Sequence, residues 1–485
     1  MNTPIRRLAL VVFAMFTALL ISTTWIQFVQ AEDLRERPGN RRTLIDNYSR
    51  DRGAILVDGT PIATSEPTDD ELEWLRQYDQ AQRYAHVTGY YSFTYGAGLG
   101  LERAEDPVLA GTDDSLFYQR LSDVVTGTPA SGASLELTID PDVQAAAAEA
   151  LGDRRGAAVA LDPATGEILA MVSRPSYDPN ALASHQLAAV DEAYTSLSED
   201  PAEPLVNRAI GGDLYPPGST FKLVLAAAAL ESGEYSPDTE LEGGLTYTLP
   251  NTETELPNFG GVACDPEGRP TLAESVQVSC NTSFAWLAGE LGADSVREQA
   301  EAFGFGQPLE VPMSVTPSIY PDEMDDAQLA LTGIGQFEVR ETPLQVAMIS
   351  AAIANGGVTM TPYLVEEVRG SDLEVIERNE PRTRSRAVSQ ESAEQLTEMM
   401  TQVVERGSGQ SAALPDTQVA GKTGTAEFGE SGAAHAWFTG FAPADDPQIA
   451  VAVVVESATD NWVGETGGLV AAPVARAMLE AGVQR

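Results

Sequence analysis

Apolar residues dominate the amino terminus, where Leu8–Val29 is a run of 22 residues without a charge. As a helix this run would be about 33 Å long, because each residue adds about 1.5 Å, and that length spans the apolar core of a membrane. Arg6 and Arg7 precede the run, and Val29-Gln30-Ala31 has the composition of a signal-peptide cleavage site. Signal peptides have shorter apolar cores, about 7–15 residues, so the length favours an uncleaved anchor over a cleaved signal.

Short apolar runs broken by Gly, Pro and Asp fill residues 51–125, after a charged and polar stretch over residues 31–50 that is typical of a linker. The segment VTGTPASGAS (Val125–Ser134) is a second linker by composition. LELTID then predicts a strand, and Pro141 begins a helix through DVQAAAAEAL. These patterns predict a small, mainly β amino-terminal module.

Strand patterns stand at both ends of the remaining chain, with helical patterns between them. GAAVALD, PATG and EILAMVS predict a hairpin, and near the carboxyl end AWFTGFA and QIAVAVVVES are apolar strands joined by PADDP. Helices are predicted for FKLVLAAAALES, TPLQVAMISAAIANGG and the final AAPVARAMLEAG. This order favours an α+β domain, one sheet flanked by helices.

The chain has 72 acidic and 29 basic residues and a formal charge of −43. This charge argues against nucleic-acid binding, which calls for a basic patch. The basic run RNEPRTRSR (Arg378–Arg386) is interpreted as an exposed loop, because one short charge run is weak evidence for a binding site.

Only two lysines occur, Lys222 and Lys422, and every other basic position is arginine. A lysine is a compact charge whose proton can be removed by burial, whereas an arginine stays protonated. We therefore expect both lysines to take part in chemistry.

Lys422 lies in VAGKTGTAEFG, which contains G-K-T and invites comparison with a phosphate-binding loop. That loop needs a glycine five residues before the G-K pair, and Asp416 occupies this position. The loop should also lead into a helix, but Gly424 follows Thr423 directly. The segment is therefore not a nucleotide-binding loop.

Lys222 lies three residues after Ser219 in YPPGSTFKLVLAAAAL, where a break at Pro217-Gly218 precedes a helical run. On a helix this spacing puts both side chains on one face. The apolar run would lower the pKa of Lys222 and make it a general base for the Ser219 hydroxyl. Alone, the pair is better explained as a helix cap and a solvated lysine.

Two further motifs change this assessment. Ser279-Cys280-Asn281 precedes another helical run, and Lys422-Thr423-Gly424-Thr425 follows later. S-x-x-K, S-x-N and K-T-G in this order are the signature of penicillin-recognising serine enzymes. The chain thus resembles the class B penicillin-binding proteins, and its short amino-terminal module is most similar to the PbpA-type subgroup of actinobacteria. The resemblance extends over nearly the whole chain, through RGAIL, GLGLE, LDPATGEILAMVSRPSYDPN, GIGQFEVRETPLQVA and HAWFTGFAP.

The resemblance implies an α+β fold, the transpeptidase fold with an antiparallel sheet flanked by helices, after a small mixed β-rich module and one transmembrane helix. We expect a cytoplasmic tail at residues 1–7, the anchor at 8–29, the non-catalytic module at 30–153 and the transpeptidase domain at 154–485. The catalytic domain would lie on the extracytoplasmic side. The arginines flanking the anchor do not decide this orientation.

The resemblance also implies roles for the motif residues in D,D-transpeptidation. Ser219 would attack the D-alanyl-D-alanine carbonyl of a stem peptide while Lys222 takes its proton. The backbone N–H groups of Ser219 and Thr425 would form the oxyanion hole. The other expected catalytic residues are Ser279, Asn281 and Lys422, and the expected substrate-binding residues are Thr423, Gly424 and Thr425. On this view the absent side chain of Gly424 lets the substrate approach as an added strand. No metal or cofactor is expected.

Expected partners are peptidoglycan stem peptides, β-lactams, a glycan polymerase of the SEDS type and proteins of cell division or elongation. The alternatives are a D,D-carboxypeptidase or β-lactamase-like hydrolase on the same fold, and a non-catalytic penicillin-binding sensor. Outside the cytosol we expect a disulfide between Cys264 and Cys280 in preference to two free buried thiols.

Overall fold

The computed structural model describes residues 2–30, 48, 50–127, 131–372, 374–428, 433–456 and 466–484. The predicted linker at 31–50 lies almost entirely outside the described residues, as does part of the linker at 125–134. The helices are α1 Asn2–Thr24, α2 Ala81–Thr88, α3 Gly100–Ala104, α4 Asp106–Leu109, α5 Phe117–Thr126, α6 Pro141–Leu151, α7 Asn180–Ala183, α8 Leu187–Glu199, α9 Lys222–Glu231, α10 Leu272–Gln277, α11 Asn281–Ala302, α12 Asp326–Thr332, α13 Pro343–Ala354, α14 Gln390–Arg406 and α15 Gly467–Gly482.

Strands make up two larger sheets and several two-stranded ones. They are β1 Ile55–Val57, β2 Thr60–Pro67, β3 Trp74–Tyr78, β4 Tyr91–Ser92, β5 Gly96–Ala97, β6 Ser134–Leu137, β7 Gly156–Leu161, β8 Ile168–Arg174, β9 Thr246–Thr248, β10 Glu255–Pro257, β11 Leu309–Glu310, β12 Ser314–Val315, β13 Val358–Met360, β14 Val365–Arg369, β15 Val375–Arg378, β16 Thr383–Arg386, β17 Ala420–Phe428, β18 Ala433–Ala442 and β19 Ile449–Val455.

The amino-terminal helix α1 continues into one π-helical turn, Trp25–Val29. The segment Pro4–Gln27, which covers most of α1 and the start of this turn, is long and apolar enough to cross a membrane. None of this segment is buried against the rest of the protein. An apolar helix that is not packed against protein needs another apolar environment. This is the helix expected of a membrane-anchored protein.

The five-stranded sheet is antiparallel, with the strand order β17-β18-β19-β7-β8. Two of its central strands, β7 and β19, are apolar along their whole length and are buried throughout. Helices α6 and α15 cover one face and α13 covers the other. A strand that is buried on both faces has apolar residues at every position. These strands could therefore be predicted from the sequence. The sheet flanked by helices is confirmed, and β17, which carries Lys422, is an edge strand.

The six-stranded sheet joins distant parts of the chain, in the order β15-β14-β6-β1-β2-β3. Strands β1 and β6 are parallel, and β14 pairs antiparallel with β6. Four strands thus come from the amino-terminal module, while β14 and β15 belong to the region that we assigned to the catalytic domain. The two regions share backbone hydrogen bonds and are not separate in space.

The interpretation of Arg378–Arg386 as an exposed loop is wrong at both of its ends. Arg378 is the last residue of β15 and pairs with the buried carboxylate of Glu367. Thr383–Arg386 forms β16, which pairs with β13. The arginines alternate along edge strands, where charged side chains keep the edge soluble, so a basic composition did not exclude a strand.

A buried ion-pair cluster joins the two module segments that carried the resemblance, RGAIL and GLGLE. Arg52 Nε lies 2.6 Å from Glu102 Oε2, and Arg76 Nε lies 2.7 Å from Glu102 Oε1. Glu102 is completely buried, and each of its oxygens accepts from an arginine, which is the condition for burying a carboxylate without a large penalty.

Candidate active site

The candidate nucleophile lies in a tight turn at the start of α9. Gly218–Phe221 forms one turn of 3₁₀-helix that leads directly into α9 at Lys222. In a 3₁₀ turn, side chains three residues apart lie one above the other, so Ser219 and Lys222 share a face, as predicted. Gly218 has φ +55°, and a Cβ there would lie 2.7 Å from the carbonyl oxygen of Thr425. This glycine therefore lets the turn approach strand β17 closely.

Lys222 is completely buried behind Ser219. Its Nζ donates to the Ser279 carbonyl oxygen and to Asn281 Oδ1, both at 2.8 Å, and lies 3.4 Å from Ser279 Oγ. Burial and, secondarily, the charge of Lys422 hold the pKa of Lys222 well below its usual value. A neutral amine has two N–H groups and one lone pair. The two short bonds use both N–H groups, and the lone pair remains to accept a proton.

Ser279 lies between the two lysines. Its Oγ accepts a hydrogen bond from Lys422 Nζ at 2.8 Å and lies 3.4 Å from Lys222 Nζ. Ser279 also has φ +61°, a left-handed conformation that is uncommon for a residue with a side chain. Such backbone strain is concentrated at functional sites, and here the hydroxyl lies within hydrogen-bond distance of both lysine nitrogens.

Lys422 is completely buried as well, and burial lowers its pKa to about 7. Besides Ser279 Oγ, its Nζ donates to the carbonyl oxygen of its neighbour Thr423 at 2.9 Å. The side chain thus points towards the serine and away from the solvent. Two of its N–H groups are therefore used within the protein.

Gly424 lies where the edge strand β17 passes the nucleophile turn. A Cβ at this position would lie 2.9 Å from Trp437 Cβ and 3.0 Å from the Pro217 carbonyl oxygen. The absent side chain therefore lets the turn that carries Ser219 pack on the sheet. The space that a side chain would occupy is thus filled by the protein itself, and approach of the substrate along the edge of β17 stays a prediction.

One cleft brings the predicted residues together. Its volume is about 470 Å³. It is lined by Ser219, Leu256, Pro257, Phe259, Val278, Ser279, Asn281, Leu331, Ile334, Gln336, Phe337, Ser408, Thr423, Gly424, Thr425, Thr466, Gly467 and Gly468. The residues predicted to be catalytic or substrate-binding all line the cleft, except the two lysines, which lie immediately beneath it.

Residues 156–480 match the family described as the penicillin binding protein transpeptidase domain, and residues 52–135 match the penicillin binding protein A dimerisation domain. The chain is 45% identical to the peptidoglycan D,D-transpeptidase PbpA of Mycolicibacterium smegmatis, over 100% of this chain and 99% of the relative. The chain belongs to the class B penicillin-binding proteins.

Solved structures support this membership. Penicillin-binding protein A from Mycobacterium tuberculosis, as a ceftriaxone acyl-enzyme complex, superposes with a TM-score of 0.87 at 44% identity, over 91% of this chain and 100% of that one. The penicillin G acyl-enzyme complex of the same penicillin-binding protein superposes with a TM-score of 0.85, over 90% of this chain and 100% of that one. The predicted family and fold are therefore confirmed.

Cys264 and Cys280 of this penicillin-binding protein form a disulfide. Cys280 is the middle residue of the S-x-N motif, so the bond ties the backbone between Ser279 and Asn281 to the loop 16 residues earlier. In the chain-entropy description, closing a loop of this length raises the free energy of unfolding by about 3 kcal/mol.

Asn258 supports the S-x-N motif and was missed in the sequence. Its Oδ1 accepts from the backbone N–H groups of Asn281 and Thr282, at 3.1 and 3.0 Å. It therefore caps the first turn of α11, because the side chain of the cap residue Cys280 does not accept from the first N–H groups of the helix. Asn258 is 23 residues before Asn281, too far for a local capping pattern to reveal it.

Trp437 supports the nucleophile turn and was also missed. It is completely buried in β18, and its Nε1–H donates to the Pro216 carbonyl oxygen at 3.1 Å. The quoted segment HAWFTGFAP contains this residue, but its apolar pattern predicted only a strand.

Proposed function

We propose that this chain is a membrane-anchored D,D-transpeptidase that cross-links peptidoglycan stem peptides and is acylated by β-lactams at Ser219. One observation carries the assignment of the chemistry: Lys222, buried three residues after Ser219, is connected through Ser279 to Lys422. Relatives at 44–45% identity are named peptidoglycan D,D-transpeptidases, and the M. tuberculosis structures are acyl-enzymes with β-lactams.

The first half-reaction breaks the bond between the two D-alanines. Ser219 Oγ attacks the carbonyl carbon and its proton passes to the lone pair of Lys222. The backbone N–H groups of Ser219 and Thr425 stabilise the oxyanion. As the C–N bond breaks, the leaving amine takes a proton from Ser279 Oγ, which is replenished from Lys222 or Lys422.

The second half-reaction uses the amine of a neighbouring stem peptide. This amine attacks the acyl-enzyme ester and loses a proton to the same base. The ester bond to Ser219 breaks and the hydroxyl is restored. Asn281 both accepts from Lys222 and lines the cleft, so we assign it the tasks of orienting the base and contacting the substrate amide.

A fluorescent penicillin tests acylation. The wild-type protein should be labelled and Ser219→Ala should not be labelled, while the surface variant Ser198→Ala should behave as wild type. Equal labelling of Ser219→Ala would contradict the assignment. A donor thioester with D-[¹⁴C]alanine as acceptor separates transpeptidation from hydrolysis: release of the free acid alone would favour a carboxypeptidase or β-lactamase, and a stable acyl-enzyme without turnover would favour a sensor.

The membrane arrangement is also a proposal: residues 1–7 in the cytoplasm, 8–29 in the membrane, 30–153 as the non-catalytic module and 154–485 as an extracytoplasmic transpeptidase domain. The Cys264–Cys280 bond supports this side, because disulfides persist outside the cytosol. A protease added to intact spheroplasts should digest the domain. Protection of the domain until the membrane is lysed would reverse the orientation.

We further propose that a SEDS-type glycan polymerase binds the anchor and the amino-terminal module. The anchor supports this proposal, since Pro4–Gln27 buries none of its surface within the protein and is free to pack against other membrane helices. Replacing residues 8–29 with an unrelated transmembrane helix should abolish co-purification of the polymerase while penicillin labelling persists. Unchanged co-purification would place the contact elsewhere.

A further inference from the structure

Phe337 lines the active-site cleft in a backbone conformation that few residues with side chains adopt. Its φ is +61°, in the left-handed region, where the Cβ of a bulky residue is crowded by the backbone. Among the described residues other than glycine, Ser279 and Phe337 are the two that combine a positive φ with a place in the cleft lining. Glycine would adopt this conformation without strain. Strain that is kept at a functional site points to a role for the residue that bears it, so the aromatic side chain of Phe337 requires a functional explanation.

Arg340 holds this conformation from one side. Its Nη1 donates to the carbonyl oxygens of Phe337 and Val339, at 2.9 and 2.8 Å. The backbone of Arg340 is itself paired with that of Ile319, which donates to the Arg340 carbonyl oxygen at 2.7 Å and accepts from the Arg340 N–H at 3.0 Å. The conformation of Phe337 is thus fixed by the protein before any ligand binds.

The nucleophile turn holds the same segment from the other side. The Gly218 N–H donates to the Gly335 carbonyl oxygen at 3.0 Å, and a Cβ at Gly335 would lie 2.0 Å from the Gly218 carbonyl oxygen. Gly218 directly precedes Ser219, and Gly335 comes two residues before Phe337. The backbone that carries Phe337 therefore packs on the backbone that carries the nucleophile, and Ser219 and Phe337 line the same cleft.

This face of the cleft is apolar. The segment from Leu331 to Phe337 contributes Leu331, Ile334, Gln336 and Phe337 to the lining, and Leu331 packs against the same apolar cluster as Leu256, which also lines the cleft. The exception, Gln336, ends in an amide, which does not take a proton from water. No aspartate, glutamate or histidine is among the described lining residues. This face therefore offers no base that could activate water.

The acyl-enzyme ester can react with water as well as with the acceptor amine. In hydrolysis, the oxygen of water would attack the carbonyl carbon of the ester on Ser219 and pass a proton to the lone pair of Lys222. The bond to Ser219 Oγ would break, and this oxygen would take the proton back. The acceptor amine reacts through the same steps at the same base, so Lys222 does not distinguish the two nucleophiles. The outcome therefore depends on which of them reaches the ester, and a site that excludes water protects a reactive intermediate from hydrolysis.

We propose that Phe337 is a specificity-determining residue which keeps water away from the acyl-enzyme ester and so favours transfer to an amine over hydrolysis. This inference rests on the proposed function and names the side chain that decides the fate of the acyl group. A glycine at this position would relieve the backbone and leave the ester open to water on this face. The phenyl ring acts against free water, whereas the acceptor amine belongs to a peptide whose binding to the cleft brings it to the ester.

The test follows the acyl-enzyme formed with penicillin G after excess penicillin has been removed. In Phe337→Gly and Phe337→Ala, loss of the penicilloyl group, measured by intact-protein mass spectrometry, should become about tenfold faster or more. Acylation by penicillin G should stay within about threefold of wild type. With the donor thioester and a D-alanine acceptor, the ratio of free acid to transfer product should rise in both variants. Phe337→Leu keeps most of the apolar volume and should retain the wild-type ratio.

The two small residues separate the effect of the ring from that of backbone strain, because glycine is unstrained at φ +61° and alanine is not. Faster deacylation in Phe337→Ala alone would attribute the effect to the backbone. Unchanged deacylation in both variants would show that the ring does not exclude water, and an equal change of acylation and deacylation would show that Phe337 only supports the nucleophile turn. Each of these results would overturn the proposal.

Phe117→Ala is the matched control. Phe117 is an exposed phenylalanine of α5 outside the described cleft lining, so its replacement should leave both rates unchanged. A thermal melt checks that each variant is folded. Wild-type protein that penicillin G does not acylate would overturn the proposed function. Wild-type acylation with deacylation that is independent of Phe337 would overturn only the water-exclusion assignment.

Discussion

Tyr215 is tied to Glu456 by a hydrogen bond of 2.7 Å from its hydroxyl to Oε1. Glu456 also accepts from Arg208 Nε at 2.9 Å, and it forms an ion pair with Arg155, whose Nε lies 2.6 Å from Oε2. On the backbone side, Tyr215 forms an antiparallel bridge with Glu341. The segment that leads to Ser219 is thus fixed four residues before the nucleophile.

We expect Tyr215→Phe to slow acylation of Ser219 by penicillin G, roughly three- to tenfold, since a lost buried hydrogen bond costs about 1 kcal/mol. Stopped-flow acylation kinetics measure this effect. Tyr363→Phe is the matched control: its hydroxyl also donates to a glutamate, Glu167, at 3.0 Å, but far from the cleft. If both variants acylate at the wild-type rate, the Tyr215 contact does not position the nucleophile.

Lys222→Arg should abolish acylation although the positive charge is kept. Arginine stays protonated and cannot take the proton of Ser219, whereas burial keeps the pKa of Lys222 well below its usual value. In the wild type, acylation should rise with pH as Lys222 loses its proton. Mass spectrometry of the acyl-enzyme gives the rate, and a thermal melt checks that the variant is folded. Residual acylation within about tenfold of wild type would argue against Lys222 as the base.

Replacing Cys264 by Ser should lower both stability and activity. Because the disulfide closes a loop, we expect its removal to lower the free energy of unfolding by about 3 kcal/mol. Because Cys280 lies between Ser279 and Asn281, acylation should slow as well. Chemical denaturation and penicillin labelling measure the two effects, and the double variant with Cys280→Ser separates loss of the bond from a new free thiol. Unchanged acylation in both variants would show that the motif is rigid without the disulfide.

Glu341 gives the protein a distinct pH dependence of stability. It is completely buried, neither carboxyl oxygen has a hydrogen-bond partner among the described residues, and burial raises its pKa to about 8. Between its ordinary pKa of 4.5 and about 8 the folded state holds a proton that the unfolded state has released. Stability from this group is therefore greatest at low pH and is lost as pH rises towards 8.

The variant Glu341→Gln isolates this contribution. The free energy of unfolding of the wild type should fall relative to that of Glu341→Gln as the pH rises from 4.5 to 8, by an amount on the order of a few kcal/mol. Subtracting one pH profile from the other cancels the contribution of every other titrating group, because both proteins share those groups. Parallel profiles would mean that Glu341 is ionised in the folded protein.

The motif residues could be placed from the sequence because their spacing is local. Ser219 and Lys222 are neighbours in one turn, and the apolar strands of the five-stranded sheet are continuous runs. Contacts between residues far apart in the sequence could not be predicted from local spacing. Asn258 caps α11, and Ser408 contacts Thr423 from a different element. For Gly424, the sequence shows that a side chain is absent but not that the turn before Ser219 fills the space.

The six-stranded sheet imposes an order on folding during synthesis. Strand β6, at residues 134–137, cannot pair with β14 until residues 365–369 have been made, more than 200 residues later. Until then β6 presents an open edge, which is a site for wrong pairing with other chains. The six-stranded sheet is therefore completed only late in synthesis, and a ribosome that stalls before residue 365 leaves a fragment whose open β6 edge favours aggregation.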